Sequence, residues 1–179
     1  MLGDPGEMQV LLTAAQLMCL SARTAPKAGG KDYITTKILS GEVLNRLADE
    51  MNAYGQVSGK KNFDRDGENV RNSGAVVLIG LKDAETMGLN CGACGHDTCA
   101  GLKARTGPEF EGPVCAWRLI DLGVAVGSAV KTASMLNVDN RIMYRIGVVA
   151  KKMGLCDGEI VVGIPLSATG KSIYFDRGR

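Results

Sequence analysis

Four of the six cysteines fall at Cys91, Cys94, Cys99 and Cys115, in the spacing Cys-x2-Cys-x4-Cys-x15-Cys. Three thiols on one tight loop, with a fourth on the segment that returns to it, is the arrangement a four-cysteine iron–sulfur centre requires. Gly92 and Gly95 each follow one of these cysteines. A chain that wraps a compact anionic cluster needs positive φ or close backbone approach at such points, and glycine tolerates both. Asp97 and Thr98 offer N-cap oxygens, so the pattern predicts a helix from Cys99 to about residue 105, its first-turn amides facing the cluster.

Tetrahedral thiolate coordination serves zinc as well as iron, and zinc is the alternative metal. Zinc ribbons pair two similar knuckles, whereas the second half of this motif offers only Cys115, with Pro113 two residues before it. Disulfides are the third reading. Residues 1–23 carry Asp4 and Glu7 where a secretion signal is basic, and no small-residue cleavage site closes a long apolar run. The expected location is therefore cytoplasmic, where cysteines bind metal more often than they pair. Cys19 and Cys156 stand among apolar residues and are expected to be small buried hydrophobes.

The rest of the chain reads as one globular unit. At 179 residues, 45% hydrophobic and 22% charged, it holds enough apolar material for one core and too little length for two ordinary domains. A net charge of +2 argues for neither nucleic acid nor an anionic membrane surface as partner. No uninterrupted apolar run approaches the roughly 20 residues that cross a bilayer.

Helical spacing of apolar residues predicts a helix over 7–23, stopped by Ala25-Pro26, and residues 26–32 form a loop. Residues 33–39 read as a strand, and Ser40 caps a helix to about residue 54. Residues 56–72 read as a polar surface connection, with a short helix over 66–72. The apolar run 75–80 has the pattern of a strand buried on both faces. A long helix is predicted over 116–137, another over 141–153 with Gly154 just past its end, and a second central strand over 159–164, followed by a partly extended tail through Arg177. Gly123, Gly127, Ser128 and Ala129 lower helix propensity inside the long helix, which implies that another backbone packs close to it, from a second helix or a twofold partner. No repeat or linker divides the chain, so residues 1–179 form one α+β domain and residues 88–116 an embedded 4Fe-4S insert.

The run CGACGHDTCAG with its distant Cys115 resembles the small four-iron ferredoxin-type motif of corrinoid iron–sulfur proteins and of the electron-transfer subunits of Rnf complexes, except that Ala116 follows the last cysteine where those motifs place proline. The element order and the Gly163-Ile164-Pro165 ending are similar to the flavin-dependent nitroreductase family. Nearly the whole chain, carried by residues 22–27, the cysteine motif, residues 138–144 and residues 164–171, resembles an uncharacterised bacterial and archaeal ferredoxin-domain family. The nitroreductase likeness implies a central sheet flanked by helices, a homodimer built on the 116–137 helix, and FMN at the subunit boundary. Residues 1–8 lack the basic segment that grips the FMN phosphate in that family, so the phosphate partners it implies here are Arg23, Lys27 and Lys171. The resemblances together imply an electron-transfer or oxidoreductase component with an unknown redox partner. A metal-stabilised scaffold or redox sensor is the non-enzymatic alternative.

Other motifs carry less. Ala168-Thr169-Gly170-Lys171-Ser172 looks like the end of a P-loop, but the first glycine would fall at Pro165 and the helix that must follow has no room. His96 is the only histidine and lies between two of the motif cysteines, which argues against a Ser-His-Asp relay, and a site of several histidines is excluded. It either hydrogen bonds near the cluster or is a solvated loop residue. Arg141, Tyr144 and Arg145 form a charged patch or a solvated helix face. No acid–base constellation is visible, so the catalytic residues are unknown.

Overall fold

Every residue from Ala75 to Leu81 is buried, and the molecule is built outwards from this strand. The computed structural model describes residues 5–175, so Asp176 and Arg177, the end of the predicted extended tail, lie outside it. In chain order the elements are α1 (Pro5–Thr24), β1 (Ile34–Ser40), α2 (Glu42–Ser58), α3 (Phe63–Arg71), β2 (Ala75–Leu81), a small ribbon of β3 (Arg105–Thr106) and β4 (Glu111–Gly112), α4 (Ala116–Met135), β5 (Asp139–Asn140), α5 (Tyr144–Lys152) and β6 (Ile160–Ser167). The main sheet runs β1-β2-β6-β5 with all neighbours antiparallel. Successive strand side chains point to opposite faces. Val77, Ile79 and Leu81 therefore join Ile164 and Leu166 in one core beneath α1 and α4. Val76 and Leu78 join Val161 in a second core beneath α2, α3 and α5. The result is an α+β domain of three layers whose sheet is covered on both sides.

Small residues set the spacing of these layers. Ala14, Ala15 and Ala22 of α1 meet Ala125, Ala129 and Ala133 of α4, and the Ser21 and Thr132 hydroxyls bond at 2.6 Å. Helix α5 sits on β6 so closely that a Cβ at Gly147 would lie 1.8 Å from the Val161 carbonyl oxygen. Gly163 leaves the matching space for Ile146.

Several boundaries differ from those the sequence predicts, and four have a visible cause or consequence. Helix α2 runs on to Ser58, and α3 starts at Phe63 because that buried ring packs edge-on against Tyr54, 4.9 Å between centroids. Gly41, not Ser40, is the N-cap residue of α2, with φ 70° and no side-chain cap bond. Helix α5 starts only at Tyr144, because Asp139 and Asn140 pair with β6 and Met143 exchanges backbone bonds with Gly163. After Cys99 there is one 3-10 turn, Cys99–Gly101, in place of a helix. The side chain of Asn90 takes the Cys99 amide at 2.8 Å, and the Thr98 side chain makes no cap bond.

Candidate metal centre

The cysteine loop leaves the sheet at the end of β2 and returns at the start of α4. Its departure is fixed by Glu85, whose carboxylate accepts from Lys31 at 3.0 Å and Tyr33 at 2.8 Å. Gly92 and Gly95 have φ of 73° and 84°, and the Gly95 amide closes a tight turn onto the Gly92 carbonyl. This is the left-handed backbone the two glycines are suited to. The turn carries Cys91 and Cys94 to one end, and Cys99 returns beside Asn90 in a two-way bond. Asn90 N–H donates to Cys99 Sγ at 3.4 Å, and Cys99 N–H donates to Asn90 Oδ1. Cys115, buried, is the residue that caps α4, its carbonyl accepting from Arg118 and Leu119.

All four motif cysteines line one shallow cleft, walled by Met87, Leu89 and Trp117. Cys91 is exposed, Cys94 and Cys99 are half-buried, and none is in a disulfide. The Trp117 Nε1–H donates to Cys91 Sγ at 3.4 Å. The backbone amide of Ala93, and then this indole, pull the Cys91 thiol below its usual range, toward the thiolate that binds metal. Among the described residues, no three His, Cys, Asp or Glu side chains converge as a single-ion site. His96 lines the same cleft, its ring against Gly101.

One charged cluster supports the start of α4 and was not singled out in the sequence. Arg118 is fully buried. Its Nε donates to the Glu85 carbonyl at 2.9 Å, and one terminal nitrogen donates to the Ala28 carbonyl and to Asp121 Oδ2. Asp121 Oδ1 accepts the Ala28 amide at 2.7 Å, and the guanidinium lies 4.7 Å over the Tyr33 ring. These bonds tie the two arms of the cysteine loop to the α1–β1 connection. The pairing of Arg118 with Asp121 at i, i+3 was the available signal, but nothing in spacing alone marks it as buried.

A family described as "Uncharacterized protein containing a ferredoxin domain" matches residues 111–177. A protein of Archaeoglobus fulgidus, described only as uncharacterized, is 52% identical over 166 residues, 92% of this chain and 90% of its own. The chain belongs to this ferredoxin-domain family. Solved structures extend the likeness to the fold. The FMN-dependent nitroreductase NfnB of Mycobacterium smegmatis superimposes with a TM-score of 0.59 at 10% identity, covering 89% of this chain and 78% of that one. Nitroreductase CinD of Lactococcus lactis gives 0.59 at 14%, covering 99% and 83%. A nitroreductase-like protein of Bacillus cereus gives 0.58 at 11%, covering 93% and 78%. The α+β fold of this ferredoxin-domain protein is thus nitroreductase-like.

The three basic residues assigned to a flavin phosphate do not meet within this ferredoxin-domain chain. Arg23 pairs with Asp32, and the Lys27 ammonium donates to the Ala22 and Arg23 carbonyls that end α1. Both stand near the end of the strands where Ile34 pairs with Leu81. Lys171 follows the other end of β6, past the pairing of Ala75 with Leu166. The charged residues around α5 have structural partners: Arg145 pairs with buried Asp66 at 2.9 Å, and Arg141 donates to the Tyr174 carbonyl. No helix among the described residues is long and apolar enough to cross a membrane.

Proposed function

We propose that this ferredoxin-domain protein carries one 4Fe-4S cluster on Cys91, Cys94, Cys99 and Cys115, and serves as an electron-transfer or oxidoreductase component. The observation that carries the reading is that all four motif cysteines line one cleft. A four-iron core takes four thiolates of this kind as its ligands. The N–H groups aimed at Cys91 and Cys99 suit sulfurs that hold negative charge. When bound, such a cluster passes one electron at a time. The chain's own residues hold it and set its surroundings: the thiolates ligate, Asn90 and Trp117 donate to sulfur, and Arg118 fixes the loop arms.

For FMN the single chain does not fit. Arg23 and Lys27 are engaged with Asp32 and with the end of α1, and Lys171 follows the other end of β6, so no flavin step is assigned. A homodimer through the outer face of α4 remains part of the reading. Gly123 and Gly127 meet nothing within 4 Å of a built Cβ, and Leu119, Ile120, Val124 and Met135 are exposed beside them. The close-packing backbone that these glycines imply is absent from the described residues, and a second copy would supply it.

The deciding experiment is metal and sulfide analysis of protein purified without oxygen from iron-supplied cells. About four iron and four labile sulfide per chain are expected, with broad visible absorbance. Zinc alone in that preparation would refute the cluster and favour the metal-stabilised scaffold.

A further inference from the structure

Trp117 is the only tryptophan in the chain. It occupies the second position of α4, is 39% exposed, and lines the cysteine cleft. Helix packing does not call for an indole here. Leu119 and Ile120, on the same turn, are apolar and exposed without one. What the indole adds is its Nε1–H, which reaches Cys91 Sγ at 3.4 Å. An indole N–H donates and never accepts. The other sulfur donors named for this loop, the amides of Asn90 and Ala93, belong to the backbone and no substitution removes them.

Resting on the cluster assignment above, we propose that Trp117 is a positioning residue that acts through Cys91 to raise the cluster's reduction potential. Adding one electron to the cluster increases the negative charge on its ligand sulfurs. A donor held against one sulfur therefore stabilises the reduced state more than the oxidised state. The oxidised cluster gains an electron from the titrant, no bond to the indole forms or breaks, and the Nε1 proton stays on nitrogen. A gain on the scale of one modest hydrogen bond gives about a five-fold change in the ratio of reduced to oxidised cluster at fixed potential. At 59 mV per decade for one electron, that is about 40 mV.

The test is a potentiometric titration of anaerobically purified full-length protein, with iron, sulfide and thermal midpoint measured on the same samples. Trp117→Phe keeps a ring and removes the donor, and its midpoint potential is expected about 40 mV more negative with iron content unchanged. Because the chain has one tryptophan, growth on a fluorotryptophan alters this position alone. The more acidic indole N–H should shift the potential the opposite way, and this arm stands even where Trp117→Phe fails to fold. Potentials that stay at the wild-type value in both loaded samples overturn the proposal and leave the cluster assignment intact. Wild-type protein without iron and sulfide overturns both.

Discussion

At the scale of single residues, the site divides into what spacing reveals and what only geometry reveals. The four thiols and the two left-handed glycines were legible, because ligand spacing and backbone freedom are properties of the local chain. Asn90, Trp117 and Arg118 were not, because donating to a sulfur or spanning two loop arms depends on segments brought together by the sheet. Cys99→Ala should abolish stoichiometric cluster binding. Cys156→Ala should leave it unchanged, since Cys156 belongs to the core under α5, and iron and sulfide assays on the two variants check both outcomes. Tyr174 gives a prediction for pH. It is buried with its hydroxyl 2.9 Å from Ser73 Oγ, and burial pushes its pKa from 10.0 up to about 12. The folded state thus favours the neutral phenol: its contribution is whole below pH 10 and is lost as pH rises toward about 12. Urea unfolding should show stability falling over that window, with a shallower slope in Tyr174→Phe.

At the scale of elements, the two central strands followed from their apolar runs and the long helices from periodicity, whereas the errors fell where an element meets another. Sequence placed the α5 start at 141 because Ile142 and Met143 continue a helical pattern, but pairing to β6 holds 139–143 extended. The missing helix after Cys99 has a similar cause, the Asn90 carboxamide having taken the amide that would begin it. Helix α5 is seated on β6 at Gly147 with no room for a side chain. Gly147→Ala places a methyl carbon against the Val161 backbone, which cannot swing aside as a side chain would. A loss of about 3 kcal/mol or more is expected in chemical denaturation, at the upper end for overpacking. Arg118→Gln removes one partner of a buried pair and leaves Asp121 uncompensated, so a comparable loss of about 3 kcal/mol is expected.

At the scale of the whole molecule, the part of the cysteine loop that bears Cys91, Cys94 and Cys99 is carried by the domain without being part of its cores. No residue between 88 and 101 belongs to either hydrophobic core. Removing the metal by chelation under anaerobic conditions should therefore abolish visible absorbance while far-ultraviolet circular dichroism stays nearly unchanged. Collapse of the whole domain would instead favour the scaffold reading. The outer face of α4, with its two open glycines and exposed apolar side chains, belongs to the same scale. Val124→Glu puts a charge at its middle and should weaken dimerisation by at least about ten-fold in sedimentation. The most direct test of the account is anomalous diffraction at the iron edge from crystals grown without oxygen. It predicts one iron–sulfur density in the cleft, bonded to the sulfurs of Cys91, Cys94, Cys99 and Cys115. An iron centre that leaves Cys115 unbonded, or a signal at the zinc edge alone, would contradict it.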